Sequence, residues 1–241
     1  MNVDTAHIQF KIGIDKTDSF NSANFLPEEI DLYLSDAQEE FIEQRAYGNN
    51  FKRESLEETQ KRVKDLQSIT TNVNSTLFST DTNNKPLGTF VTLPIDYRHS
   101  INEEVTITST NCNNSTVSTR VPVKAITHDE YNTMISNPFA RPSLNQAYRL
   151  PYGRFNNREH FELITQGGPA SLVTYHLRYL KNPRKIDKAQ LLSPLGLAGT
   201  DTMDLSDESY REVIQIAIRN AMGDIMSPGT EERLKRTTEI E

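Results

Sequence analysis

The chain has 241 residues, enough for one large domain or two small ones with a real core. A hydrophobic content of 35% and a mean hydropathy of -0.61 are low for a compact enzyme and suit a surface of loops, tails or polar subunit contacts. The net charge of -7 argues against a grip on nucleic acid, which needs a basic patch, and no apolar run approaches the length of a membrane span.

The first residues, Met1-Asn-Val-Asp-Thr-Ala-His7, lack a basic stretch followed by an apolar core, so no secretory signal is expected and the chain should stay in a cytoplasm. Residues 6–14 carry two readings. Ile8, Phe10, Ile12 and Ile14 alternate at period two, which favours a strand, while Phe10 and Ile14 also fit one face of a short helix. After a Ser/Asn-rich turn the spacing predicts a helix with Pro27 in its first position and Glu28 and Glu29 in its first turn, where the helix dipole favours negative charge. Ile30, Leu34, Ala37, Phe41 and Arg45 form its stripe, and Gly48 is the expected C-cap near Tyr47. A second helix is predicted from Ser55, with Ser55 and Glu58 in capping-box spacing and Leu56, Thr59, Val63, Leu66 and Ile69 or Thr70 as its buried stripe. The short connection favours an antiparallel helical hairpin. The polar run 70–85 reads as a boundary or a flexible loop.

From Gly88 onward β-branched and aromatic residues predict strands at 89–93, 104–109, 120–123, 147–150, 160–164 and 171–180, separated by turn chemistry such as Gly167-Gly168-Pro169. Between the third and fourth, Thr127 and Glu130 have capping-box spacing for a short helix. That helix is stopped at Asn137-Pro138, since a residue before proline is pushed out of the α region. Phe139 and Pro142 follow as rigid apolar anchors. The last long helix starts near Ser206, with Tyr210, Val213, Ile214, Ala217, Ala221 and Ile225 on its apolar face, and the residues after Pro228 form a charged tail or a last short helix.

The expected fold is therefore α+β: an N-terminal helical hairpin and a C-terminal helix packed with a 5–6-stranded antiparallel sheet or small sandwich. Three parts are expected: a helical part over 1–70, a β-rich part over 71–187, and a C-terminal helix and tail over 188–241 that packs back on the helical part.

Catalytic chemistry is hard to find. Gly167-Gly168 precedes a strand and not a helix, so it is no phosphate loop. Cys112, the single cysteine, sits in a polar run with nothing basic near it to lower its pKa, and Asn113-Asn114-Ser115 has the form of a glycosylation acceptor that only secretion would use. The histidines His7, His99, His128, His160 and His176 are spread singly. His160 and His176 lie on candidate neighbouring strands with Glu162 close by, which permits a two-His-one-carboxylate metal site; the alternative is two ordinary sheet-surface histidines. The pairs Glu28-Glu29, Glu39-Glu40 and Glu57-Glu58 read as solvent faces of helices. Lys52-Arg53 and the basic cluster Lys181-Asn-Pro-Arg-Lys185 read as solvated surface. Asp96-Tyr97-Arg98 reads as a strand exit with a local ion pair, or as a subunit contact. An acidic wall still suits a passage for DNA, because it lets a polyanion slide without sticking.

Four patterns carry a resemblance. They are Phe25-Leu-Pro-Glu-Glu-Ile-Asp-Leu-Tyr-Leu-Ser-Asp-Ala-Gln-Glu-Glu-Phe41; Leu93-Pro-Ile-Asp-Tyr-Arg98; Val121-Pro-Val123 with Thr127-His-Asp-Glu-Tyr-Asn132, Asn137-Pro-Phe139 and Pro142; and Tyr179-Leu-Lys-Asn-Pro-Arg-Lys-Ile-Asp187 followed by Leu205-Ser-Asp-Glu-Ser-Tyr210. In this order and spacing they span most of 25–225, and the chain resembles the ring or connector proteins at the head–tail junction of crAss-like, short-tailed bacteriophages. The resemblance implies a non-enzymatic virion protein with no catalytic, cofactor-binding or metal-binding residues to carry over. It also implies other copies of the chain as partners in a ring, commonly twelvefold, with the portal and neighbouring tail or ring proteins beside it. Genome DNA would be passing cargo only, and the host cytoplasm the place of assembly. Two other classes remain: a monomeric or dimeric virion binding or adaptor module, and a metal-dependent hydrolase resting on His160, Glu162 and His176.

Overall fold

The computed structural model describes residues 2–15, 25–47, 60–76, 78–79, 85–110, 115–155, 158–188, 199–200 and 203–226. In chain order its elements are α1 (Val3–Asp15), α2 (Pro27–Ala46), α3 (Gln60–Leu66), β1 (Thr70–Ser75), β2 (Phe78–Ser79), β3 (Gly88–Thr92), β4 (Tyr97–Thr110), β5 (Thr116–Ala125), α4 (His128–Ser136), β6 (Ala147–Phe155), β7 (Arg158–Ile164), β8 (Leu172–Lys181), β9 (Lys185–Ile186), β10 (Gly199–Thr200) and α5 (Asp207–Met226). They divide into two compact units, Met1–Ile69 with Pro183–Glu241, and Thr70–Asn182.

In the first unit, residues 6–14 are helix and not strand. Val3, Ala6, Phe10 and Ile14 are buried at helical spacing, while Ile8 and Ile12, which a strand would have placed beside Phe10, are 59% and 48% exposed. His7 Nε2 lies 2.7 Å from Asp31 Oδ1, joining α1 to α2 through a buried polar contact. α2 begins as its sequence predicts, with Pro27 in the first position and Glu29 accepting the Leu26 backbone N–H at 2.9 Å. Its buried side carries Ile30, Leu34, Ala37, Phe41 and Ile42. Arg45, on the same stripe, sits 4.9 Å above the Phe41 ring and 3.2 Å from Asp65. Tyr47 is the C-cap; Gly48, Ser55, Leu56, Glu57, Glu58, Thr59 and the Lys52-Arg53 pair lie outside the described residues.

The described part of the second predicted helix is α3, and the residues expected to open it, 55–59, lie outside the described residues. Among the described residues α2 packs most extensively on α5. In α3, Leu66 is buried but Val63 is 47% exposed, because Arg62 and Asp65 occupy the inward positions and the chain tightens into a 3-10 turn at Gln67–Ile69. α5 buries Tyr210, Val213, Ile214, Ala217 and Ala221; the Ile225 side chain lies outside the described residues. Tyr210 donates to Gln38 Oε1 at 2.5 Å, Ile186 N–H to Ser35 Oγ at 3.1 Å and Lys188 N–H to Asp31 Oδ2 at 2.9 Å, so polar side chains of α2 hold both β9 and α5. Arg184 closes on Asp204 with its guanidinium at 2.7 Å and its backbone N–H at 2.8 Å, so this member of the 181–185 basic cluster is ion-paired.

The second unit corrects the sheet. It contains one eight-stranded sheet in the order β1-β8-β4-β5-β6-β7-β3-β2, larger than the five or six strands expected, and mixed. All pairs are antiparallel except β5 and β6, which run parallel with Val123 opposite Ala147. The reason is α4: a strand that returns through a helix comes back in the same direction. β1 and β2 occupy opposite ends of the order, yet only residues 76 and 77 separate them. Ser75 and Phe78 are three Cα–Cα links apart, at most about 11 Å. The two ends of the sheet must therefore meet, and the sheet curls shut into a barrel whose first strand serves both edges. Register shifts along β4, between Tyr97 and His99 and between Ser100 and Asn102, supply local bending.

The run 70–85, expected as loop or boundary, thus contributes two strands. Thr70–Ser75 is polar because its outward side chains pair with polar neighbours: Arg178 Nε donates to Asn72 Oδ1 at 3.0 Å, and His176 Nδ1 lies 2.8 Å from Asn74 Oδ1. The interior is filled from six strands, with Val91, Val105, Val121, Ala147, Leu163 and Tyr175 in one cluster. Asp96-Tyr97-Arg98 is a strand entry and not an exit. Asp96 accepts Tyr179 O–H at 2.9 Å, and the Tyr97 ring packs at 5.7 Å from Phe161 and 5.8 Å from Tyr179. No described helix is long and apolar enough to cross a membrane.

Candidate functional site

The most deliberately built surface lies on the second unit, where α4 leads into residues 137–142. The predicted capping box is formed: Glu130 N–H donates to Thr127 Oγ1 at 3.3 Å and Thr127 N–H to Glu130 Oε2 at 2.9 Å. Tyr131 and Met134 face inward on Ile126, Tyr148, Leu150 and Ile164. The helix stops at Asn137 in extended conformation, as its following proline requires. Asn137 then holds the next turn twice, its Oδ1 accepting Phe139 N–H at 3.0 Å and its carbonyl accepting Ala140 N–H at 3.1 Å. Tyr148 O–H donates to the Ala140 carbonyl at 2.9 Å, and Arg141 Nε–H donates to the Ile135 carbonyl at 2.9 Å. Pro142 is buried, in agreement with an anchoring role. Phe139 is not an anchor within the chain: it is 98% exposed. Four hydrogen bonds and two prolines hold a phenyl ring out in water.

Beside it stands the turn 85–88. Leu87 has φ 67°, a left-handed conformation that costs a non-glycine residue about 1–2 kcal/mol, and its side chain is 46% exposed. The turn is held from three sides. Gly88 N–H donates to the Lys85 carbonyl at 2.8 Å, Thr165 N–H to the Leu87 carbonyl at 3.4 Å, and Lys85 N–H to the buried Glu162 carboxylate. Gly88 admits no side chain, since a Cβ there would come within 2.2 Å of Glu162 Oε1 and 2.8 Å of the Lys85 carbonyl. Burial raises the Glu162 pKa, opposed by the Lys85 N–H and the charges of Lys85 and His128. Together Leu87, Pro138, Phe139, Arg141 and Pro142 line a groove of about 690 Å³. The 137–142 half of this corner was legible in the sequence. The Leu87 half was not, because nothing in Lys85-Pro-Leu-Gly88 signals that the leucine, and not the glycine, takes the left-handed position.

The histidine reading fails on topology. β7, carrying His160 and Glu162, and β8, carrying His176, are separated in the sheet order by β4, β5 and β6. His160 Nδ1 lies 3.1 Å from the Arg158 carbonyl, and its Nε2 lies 3.1 Å from Thr92 Oγ1. His176 contacts Thr106 Oγ1 at 2.8 Å, and burial and then the Arg120 charge lower its pKa. Among the described residues no three His, Cys, Asp or Glu side chains converge on a point where a metal ion could sit. Cys112, Asn113, Asn114 and the tail after Pro228 lie outside the described residues.

The corner is thus a hydrogen-bonded, proline-bounded turn that carries an exposed phenylalanine beside an exposed leucine. A family model described as phage tail ring protein 3/4, of the crAss phages, matches residues 1–232. The chain belongs to that family. It is a tail ring structural protein of a crAss-like bacteriophage, a component of the virion, and its family implies assembly with other phage tail components. This agrees with the resemblance carried by the four sequence patterns. No curated protein matches the chain.

Proposed function

We propose that this tail ring protein is one subunit of a closed homo-oligomeric ring at the phage head–tail junction, a non-enzymatic connector between portal and tail through which the genome passes. The observation that carries the proposal is the corner of Phe139 and Leu87. An aromatic side chain 98% exposed on a hydrogen-bonded, proline-bounded turn has its backbone ordering entropy already spent, which lowers the cost of using it as an interface anchor. A closed ring of identical subunits uses heterologous contacts, so each copy needs one such face and a different face to receive it. The net charge of -7 suits a lumen that DNA traverses without adhering. Twelve copies is the ring size that the resemblance suggests.

Light scattering on the purified protein, alone and with the cognate portal, tests this. The expected result is a ring-sized species, formed alone or on the portal, that Phe139→Ser abolishes while leaving the thermal midpoint of the subunit unchanged. A monomer that ignores the portal at all concentrations would overturn the connector reading and favour an adaptor module.

A further inference from the structure

The ring reading asks for a second face, and charge selects it. The two units are electrically unlike: the first contains sixteen Lys and Arg against twenty-five Asp and Glu, the second ten against eight. The apolar corner belongs to the slightly basic second unit, and Arg141 stands exposed on its rim. On the acidic first unit, α2 turns outward a stripe of Glu28, Leu32, Asp36, Glu39 and Glu43, all exposed and all within about a quarter-turn of one another. Leu32, at the middle of that stripe, is 61% exposed. An isolated helix gains nothing from a leucine among carboxylates. Like charges at three- and four-residue spacing repel. The crowding shows at Asp36, whose pKa is raised first by desolvation and then by Glu39, with Lys185 as the opposing charge.

Resting on the ring reading, we infer that the occupant of the Leu87–Phe139 corner is a second copy of this chain, presenting the outward face of its α2 so that Leu32 enters the apolar groove and the flanking carboxylates meet Arg141. The contact is heterologous: the second unit of one copy takes the first unit of the next. Such a contact propagates head to tail and closes when the rotation per subunit divides the circle. It also sets a direction around the ring, since the two faces are different. Apolar anchoring supplies the persistence of the contact, and the unlike charges supply its register and its rejection of the reversed pairing.

The test uses assembled tails from phage carrying Leu32→Cys and Phe139→Cys together in a Cys112→Ser background, treated with a short bismaleimide and run on a denaturing gel. The expected result is a ladder of covalent multimers, because each subunit is joined to two neighbours, while Ile8→Cys in place of Leu32→Cys gives single chains. Single chains from the Leu32/Phe139 pair, with the ring still present in the tails by electron microscopy, would overturn this contact and leave the ring reading standing. Dimers and nothing larger would also overturn it, since they report a symmetric pairing. Absence of the wild-type chain from purified tails would refute the ring reading itself. A charge exchange guards against a misassembled cysteine variant. Arg141→Glu alone should lower incorporation at least tenfold, and adding Asp36→Lys and Glu39→Lys should restore it; failure of that restoration, with each variant folded by circular dichroism, would count against the contact.

Discussion

Arg149 is the best place to test the side-chain packing that the strand order β4-β5-β6 implies. It sits on β6, with its Nε 2.7 Å from Glu103 Oε2 on β4, and the two side chains are only 17% and 7% exposed. Tyr175, on β8, donates to the same carboxylate at 2.9 Å, and the guanidinium lies 4.2 Å above the Phe161 ring on β7. The pair therefore links β6 to β4 across the intervening β5. Burial and the adjoining Glu103 carboxylate push the Tyr175 hydroxyl far up, so it stays a donor throughout the accessible pH range. Arg149→Met strands Glu103 as a buried charge, and breaking such a pair from one side costs about 3–5 kcal/mol. Tyr175 still donates to Glu103, so the lower end applies, about 3 kcal/mol. For a chain of this length that is a fall of about 6–12 °C in Tm. Glu103→Gln with Arg149→Met removes both charges and should recover about 1.5 kcal/mol or more of the loss. Urea titrations of the four proteins of this cycle, followed by circular dichroism, measure the coupling. Additivity within about 0.5 kcal/mol would mean that Arg149 and Glu103 do not meet, and the packing across β5 would be refuted.

Two further outcomes follow from the turn 85–88. Burial raises the Glu162 pKa above the ordinary 4.5, so the folded protein binds that proton more tightly than the unfolded chain. The resulting stabilisation is complete below the unfolded value and is lost as pH rises through the folded one. Glu162→Gln should therefore gain stability relative to the wild type as pH rises above the ordinary carboxylate value of 4.5, and stability curves that stay parallel from acid to neutral pH would refute the assignment. At Leu87, glycine relieves about 1–2 kcal/mol of left-handed strain and gives up a half-exposed side chain worth about 1 kcal/mol, so Leu87→Gly should leave subunit stability within about 1 kcal/mol while weakening ring formation. Leu87→Val places a β-branched residue at positive φ and should be the less stable of the two by urea titration; equal midpoints would mean that the backbone there carries no strain.

How much of this was legible depends on whether local pattern or long-range pairing decided the element. α2, α4 and α5 were legible because proline, capping and a four-residue apolar spacing agree within each segment. Residues 6–14 were not, because Ile8, Phe10, Ile12 and Ile14 satisfy both periods; the choice was made by Val3, Ala6 and His7, whose burial against other helices no local pattern reveals. β1 was invisible for a related reason. Thr70-Thr-Asn-Val-Asn-Ser75 has little to bury, and its partners Arg178 and His176 lie about a hundred residues away. The parallel β5–β6 pair was derivable in principle, since a strand, a capped helix and a strand stood in order. At the candidate site, sequence placed the rigid turn but not the direction of its phenyl ring: a proline-flanked phenylalanine reads alike whether it plugs its own core or another molecule's.

That distinction bears on how such a protein limits its assembly. A sheet with two open edges offers backbone N–H and C=O groups to any passing strand, and a subunit held at high local concentration in a virion would risk open-ended strand addition. Here the first strand of the barrel serves both edges, β1 pairing with β8 and β2 with β3, so the backbone is largely used within the subunit. Association must then be carried by side chains, and side chains can be placed singly. On the ring proposed above, an exposed phenylalanine on a fixed turn, beside a leucine in a left-handed backbone, is a point of attachment with a defined direction. One directional contact per face generates a chain of subunits with a constant rotation between them, and a constant rotation is the geometric condition for a ring.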